Sequence, residues 1–121
     1  MGKILLYFST LILYSVGKST ERKYTPMSKK IKTEAVKRLF QAVLTLETEE
    51  ECFTFFEDLC TVNELESLAQ RFEVASMLRD KHTYLEVAEK TGASTATISR
   101  VNRSLNYGSD GYDLVFKRMK K

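Results

Sequence analysis

The chain has 121 residues, of which 43% are hydrophobic and 29% are charged. This length fits a single domain, and the apolar fraction is that of a globular protein rather than a disordered one. One proline and five glycines are few enough to leave long segments of 3.6-residue periodicity uninterrupted. The sequence therefore predicts an all-α domain rather than a sheet.

The net charge of +3 hides a segregation of charge along the chain. Residues 1–33 contain seven basic and one acidic residue, residues 34–76 contain three and ten, and residues 77–121 contain nine and five. Positive potential should gather in the last third, where the phosphates of a nucleic acid would be met, and the acidic middle should face away from them. A charge run is usually only a solvated face, so this distribution supports nucleic-acid binding without establishing it.

The chain lacks the residues that catalysis or metal binding would need. It has one histidine, scattered carboxylates and no glycine-rich phosphate loop. Cys52 and Cys60 form no Cys-x-x-Cys pair, and His82 is distant from them in sequence. We therefore expect no catalytic residue, no metal site and two reduced, buried cysteines.

The first residues have a pattern of their own. Ile4 to Val16 is a mostly apolar run behind Lys3, similar to the core of a signal peptide. It is shorter than the roughly 20 residues that span a bilayer, and no small-x-small cleavage site follows it. Because Met27 opens an ordinary protein start, we expect residues 1–26 to be an upstream extension of the reading frame and residues 27–121 to be the domain. The alternative is a membrane-attached regulator.

Three amphipathic segments fill the acidic middle of the chain. The first runs from Lys32 to Leu46, and the next two begin with capping boxes, Thr48 with Glu51 and Thr61 with Glu64. The third segment is apolar on nearly all sides. Helices this apolar in so small a chain predict that a second copy buries part of their surface, which favours a homodimer.

The stretch from Thr83 to Leu105 predicts two short helices joined by a tight turn. Thr83 caps the first helix in a box with Glu86, and Ser94 begins the second. Gly92 lies between them, where the chain needs a left-handed residue to turn sharply. This arrangement is typical of a helix-turn-helix that reads DNA.

The second helix of this pair presents two different faces. Ile98 and Val101 recur at helical spacing and should pack with Val87 and Ala88 of the first helix. The opposite face suits the major groove, because hydroxyls and arginines can bond base edges or phosphates and an alanine can meet a thymine methyl. The residues predicted to contact DNA from this face are Thr95, Ala96, Thr97, Ser99, Arg100 and Arg103.

Two other interpretations of the helix pair stay open. Amphipathic helices around a glycine turn are common in helical bundles that bind no DNA. The same pair could instead dock on a protein partner, such as a polymerase subunit. Salt separates the second alternative from DNA reading, because phosphate contacts weaken steeply with added salt whereas an apolar docking face does not.

From about Phe55 to its end, the chain resembles the tryptophan repressor family, and more closely its YerC/YecD-type relatives. The matching segments are Leu59–Arg71, similar to the stretch that leads into the family's central helix, and Thr91–Arg100 with Asn102–Leu105, similar to its recognition helix. The resemblance implies an intertwined homodimer with six helices per chain. It also implies repression of transcription, which in the parent family requires bound tryptophan.

The resemblance extends to residues around the corepressor. By position, Arg71 and Arg100 match the two arginines that flank the indole, while Thr61 and Ser104 match polar groups around the amino acid. The family has a glycine directly after the recognition-helix arginine, and this chain has Val101 there. Since the valine side chain would occupy the volume of the indole, we expect weak or no tryptophan binding and no other cofactor.

The first helix of the pair also differs from the family in the residues that would approach DNA. Tyr84, Leu85 and Ala88 stand where the repressor has polar or basic groups that approach DNA, so the operator should differ. The cap residues Thr83 and Ser94 complete the predicted DNA-binding set. The expected partner is double-stranded DNA with a palindromic site. Each protomer of a dimer contributes one helix-turn-helix, here called its reading head, and two heads about 34 Å apart can occupy successive major grooves. Such a protein would be cytoplasmic and nucleoid-associated, without stable membrane attachment.

Overall fold

The computed structural model describes residues 30–120. The predicted extension over residues 1–26 lies outside this range. No strand occurs in the described range, and no helix there is long and apolar enough to cross a membrane. The all-α prediction is confirmed. Six helices lie wholly within the range: α1 Glu34–Val43, α2 Glu49–Leu59, α3 Val62–Arg79, α4 Tyr84–Thr91, α5 Thr95–Tyr107 and α6 Gly111–Met119.

Helix α1 is shorter than the predicted segment from Lys32 to Leu46. The hydroxyl of Thr33 caps its start by accepting a hydrogen bond from Val36 N at 3.2 Å. At the other end, the hydroxyl and the backbone nitrogen of Thr45 both donate to the carbonyl of Ala42, at 2.6 and 3.0 Å. These tighter bonds replace the regular helical pattern and end the helix before the apolar pattern ends.

The predicted capping box at the start of α2 is half formed. The hydroxyl of Thr48 accepts from Glu51 N at 3.1 Å, as predicted. The carboxylate of Glu51 accepts from Glu47 N at 3.0 Å, one residue before the nitrogen that a capping box uses. The expectation of buried cysteines is wrong, because Cys52 is exposed on a helix without a buried residue and Cys60 is half-buried.

The chain divides into two units between residues 56 and 57. The described part of the first contains α1 and most of α2, with Phe55 and Phe56 in edge-to-face contact at 5.5 Å between ring centroids. The second unit contains every buried residue of the described range, and these residues form its core. They are Val74, Ala75, Met77, Val87, Ala93, Ile98, Val101 and Phe116.

Helix α3 is the central element of the second unit, since α4, α5 and α6 all pack against it. The attachment of α6 is aromatic and ionic. The rings of Phe72 and Phe116 are 4.9 Å apart between centroids, and Tyr112 lies beside both. Arg79 places its guanidinium 5.4 Å from the centre of the Phe116 ring and its Nη1 2.9 Å from Asp113 Oδ1. These contacts fix α6 along the side of α3.

Candidate nucleic-acid interface

The capping box predicted at the start of α4 is present. The hydroxyl of Thr83 accepts from Glu86 N at 3.2 Å, and the carboxylate of Glu86 accepts from Thr83 N at 3.0 Å. The same carboxylate lies 3.0 Å from Nδ1 of His82. The bond from the Thr83 backbone, followed by that from His82, lowers the pKa of Glu86 below its ordinary value. The contact between His82 and Glu86 was not predicted from the sequence, although a spacing of four residues on a helix favours such a pair.

The turn between α4 and α5 also follows the prediction. Gly92 adopts φ 72°, and its nitrogen donates to the carbonyl of Ala88 at 2.9 Å. A Cβ at Gly92 would meet nothing within 4 Å, so backbone conformation rather than lack of space requires glycine here. Ser94 then caps α5, because its hydroxyl accepts from Thr97 N at 3.1 Å. The pair α4–α5 is therefore a helix-turn-helix.

The inner side of this helix-turn-helix belongs to the core. Val87, Ile98 and Val101 are all nearly inaccessible, and Val101 retains only 2% of its exposure. Ala88 is half-buried and packs against the same cluster. Burial of these side chains against α3 makes the two helices one body with a fixed outer face.

The outer face of α5 carries most of the residues predicted to contact DNA. Ser94 and Thr83 are exposed at the helix starts, with their hydroxyls engaged as caps. Thr97 is half-buried, and its hydroxyl receives a 3.1 Å hydrogen bond from Ser94, so it is less available than its neighbours. The exposed residues of this face are Thr95, Ala96, Ser99, Arg100 and Arg103.

Two exposed side chains extend the surface onto the first turn of α4. Tyr84 is 40% exposed and Leu85 is 70% exposed. Ala88, the third residue predicted there, faces the core more than solvent. Of the three residues predicted to contact DNA from α4, the accessible ones are therefore an aromatic and an aliphatic side chain at its amino-terminal end.

The charge on the outer face of α5 is positive. The helix contains no acidic residue, and its two arginines, Arg100 and Arg103, have no ion pair within residues 30–120. Other surface cations of the second unit are neutralised in part, since Asp113 pairs with both Arg79 and Lys117. An anion approaching α5 would thus meet two guanidinium groups that form no ion pair with a carboxylate of residues 30–120.

The residues matched to the corepressor site lie on α3 and α5. Thr61 caps α3 in a complete capping box with Glu64, whose pKa these bonds hold below its ordinary value, the backbone bond most strongly. Arg71 is half-buried, and its Nε donates to the carbonyl of Ser67 at 3.4 Å. Arg100 and Ser104 are exposed on α5. No cluster of histidine, cysteine or carboxylate groups that could hold a metal occurs in the part of the chain that the structure describes.

Fold and site together define an all-α helix-turn-helix domain. A sequence model of the family described as Trp repressor protein matches residues 34–120. The chain is 53% identical over 92 residues to the uncharacterized protein YerC of Bacillus subtilis, a match that covers 76% of this chain and 88% of YerC. The chain therefore belongs to the Trp repressor family, as the resemblance predicted.

Solved structures agree with this assignment. A TrpR-like protein from Eubacterium eligens superposes with a TM-score of 0.74 at 67% identity, covering 76% of this chain and 95% of its own. A candidate Trp repressor from Staphylococcus aureus superposes with a TM-score of 0.76 at 49% identity, covering 80% of this chain and 96% of its own. The all-α, Trp-repressor-like fold is thus confirmed, and it is the fold of a family of regulators rather than of enzymes.

Proposed function

We propose that this protein is a sequence-specific DNA-binding regulator of transcription, a repressor that acts as a homodimer on a palindromic site. The observation that carries the proposal is the outer face of α5, on which hydroxyls and Ala96 surround two arginines without acidic partners in residues 30–120. Arginine and hydroxyl groups in this arrangement bond phosphates and base edges, and a small apolar residue accommodates a thymine methyl.

The proposed dimer rests on apolar side chains that the single chain leaves exposed. Phe53 is 63% exposed and Val62 is 73% exposed. Both belong to the segments whose apolar character predicted a surface covered by a second copy. Large apolar groups in this number are costly in water and are typical of surfaces that another chain covers. Two copies would also supply two reading heads, which increases affinity beyond that of a single α5. The remaining large apolar residues of this kind in α1–α3 are Phe40, Leu59 and Leu68.

We further propose that DNA binding does not require tryptophan. Val101 stands at the position where the resemblance implies a glycine in the family. Its side chain is buried among core side chains of α3 and α4. A side chain that already fills this position leaves no volume for an indole ring. Arg71 and Arg100 would then act as a half-buried surface arginine and a phosphate contact, respectively.

Selection of genomic DNA fragments by the purified full-length protein tests these proposals. The selection is run with and without L-tryptophan at two salt concentrations. Recovery of one palindromic sequence in both ligand conditions, weaker at high salt, is the expected result. Recovery only with tryptophan would contradict the ligand-independent part. No enriched sequence, together with salt-insensitive binding to a protein partner, would contradict DNA recognition and favour the docking alternative.

A further inference from the structure

The turn of the helix-turn-helix is hydrogen-bonded to the central helix at one point. Gln70 of α3 is half-buried, and its Nε2 donates to the carbonyl of Thr91 at 3.1 Å across 21 residues of sequence. Because a carbonyl only accepts, the amide must present its nitrogen to it. Within residues 30–120, this is the only side-chain hydrogen bond that joins α3 to α4 or α5.

Thr91 is the residue at which this bond has most effect on the turn. It is the last residue of α4, so its carbonyl has no partner within the helix. Its hydroxyl donates to the carbonyl of Val87 at 2.7 Å and accepts from Ala93 N at 3.2 Å. Gln70 therefore holds a residue that is itself bonded to both sides of the left-handed Gly92.

The apolar contacts around this bond cannot fix orientation in the same way. Burial of Val87, Ile98 and Val101 against α3 is favourable over a range of small rotations, because apolar attraction has no direction. A hydrogen bond weakens steeply when its angle or length changes. The Gln70 bond thus selects one orientation of the α4–α5 pair among those that the core would permit.

We propose that Gln70 is a positioning residue for DNA recognition, which it serves by fixing the orientation of α5 relative to α3. This inference rests on the proposed function. In a dimer, the orientation of each head determines whether both α5 helices fit successive major grooves. Loss of the bond lowers the fraction of heads in the competent orientation, and the apparent affinity for a specific site falls by that fraction. Binding to non-specific duplex needs no such register and is unaffected.

Gln70→Met tests the inference, because methionine has a similar length and no donor. Gln41, the other glutamine of the chain, is exposed on α1, and Gln41→Met is the matched control. The readouts are affinity for the selected palindrome, affinity for a scrambled duplex of equal length, melting temperature, and amide exchange at Gly92 and Ala93. The full-length protein is used throughout.

We expect Gln70→Met to lose up to about fivefold in palindrome affinity for each head, the limit set by one typical net hydrogen bond. Scrambled-duplex affinity should stay within about twofold of the native value, since phosphate contacts are retained. Amide exchange at the turn should accelerate, and Gln41→Met should match the native protein in every readout. The ratio of the two affinities is the decisive quantity, because a merely structural role would not change it.

Other results would overturn the inference. Unchanged palindrome affinity in Gln70→Met, with native protein that binds the palindrome, would contradict the positioning role alone. Equal losses on both duplexes with a lower melting temperature would show a purely structural role and would also contradict it. Native protein that binds no duplex at all would contradict the proposed function, and this inference with it.

Discussion

Thr83 and Glu86 each accept a hydrogen bond from the backbone nitrogen of the other, and this reciprocal pair begins the helix-turn-helix. An identical pair, Thr61 with Glu64, begins the central helix α3. Both boxes satisfy backbone donors that a helix start leaves free. Both also favour the charged carboxylate, so the stability of the domain should depend on pH through these two groups.

The pH dependence has a definite sign. The pKa of Glu86 and that of Glu64 are lowered in the folded protein, each first by the backbone hydrogen bond of its threonine. Their contribution is therefore present above the unfolded value of about 4.3 and is lost as pH falls through the lower folded value. We expect Glu64→Gln and Glu86→Gln to melt below the native protein at pH 7. The difference should vanish in acid, measured by thermal unfolding from pH 7 to 3.

Glu64→Gln is the cleaner of the two variants, because the Glu86 carboxylate also receives a bond from His82. A difference from the native melting temperature that persists unchanged to pH 3 would contradict the assignment of these pKa shifts to the capping boxes.

Replacement of the α5 arginines should weaken DNA binding without unfolding the domain. Arg100 and Arg103 are exposed and lie outside the core, so their loss leaves the folded packing intact. For each phosphate contact that Arg100→Ala or Arg103→Ala removes, the slope of log affinity against log salt should fall by about 0.9. An arginine that reads a guanine should also lose about tenfold or more in affinity for the specific site.

Arg38→Ala on α1 is the control for charge, since Arg38 is an exposed arginine far in sequence from α5. Fluorescence anisotropy across a salt series measures both slope and affinity. Equal affinity in Arg100→Ala, Arg103→Ala and the native protein would place DNA binding elsewhere or favour a protein partner.

Substitution of two glycines should have opposite effects on stability. Gly92 has φ 72°, and an added Cβ there meets nothing within 4 Å. The only cost of Gly92→Ala is therefore that of holding alanine in the left-handed backbone conformation. That conformation costs a non-glycine residue roughly 1–2 kcal/mol. Gly111 opens α6 with equal space around it and no left-handed angle, so Gly111→Ala should stabilise by about 0.4–1 kcal/mol. Urea unfolding measures the free energy of unfolding of each variant. Shifts of equal size and the same sign would contradict this prediction.

Calorimetric titration with L-tryptophan tests the role of Val101. We expect no micromolar binding to the native protein, because this side chain is 2% exposed within the core. Val101→Gly removes the side chain and should gain affinity for tryptophan while losing stability, since a cavity and a helical glycine both destabilise. Val101→Ala is the better-folded companion variant. Micromolar binding to the native protein would refute the proposal.

The sequence was sufficient for most of the features that local spacing controls, although the box predicted for Thr48 and Glu51 is only half formed. The capping boxes at Thr61 and Thr83 and the left-handed Gly92 each depend on residues within four positions of one another. Helical periodicity also identified the buried side of α5, because Ile98 and Val101 recur on one face whatever the neighbour. The family assignment followed from the same segments.

Other features depended on how the helices pack. No local pattern indicated that Gln70 would reach Thr91 across 21 residues or that Arg79 would pair with Asp113 across 34. The exposure of Cys52 and the half-burial of Thr97 were likewise decided by packing. A bond between residues three or four apart forms once a helix forms, because helical geometry sets its length. A bond between distant residues also needs the core to bring two helices close together, which the tertiary structure alone determines.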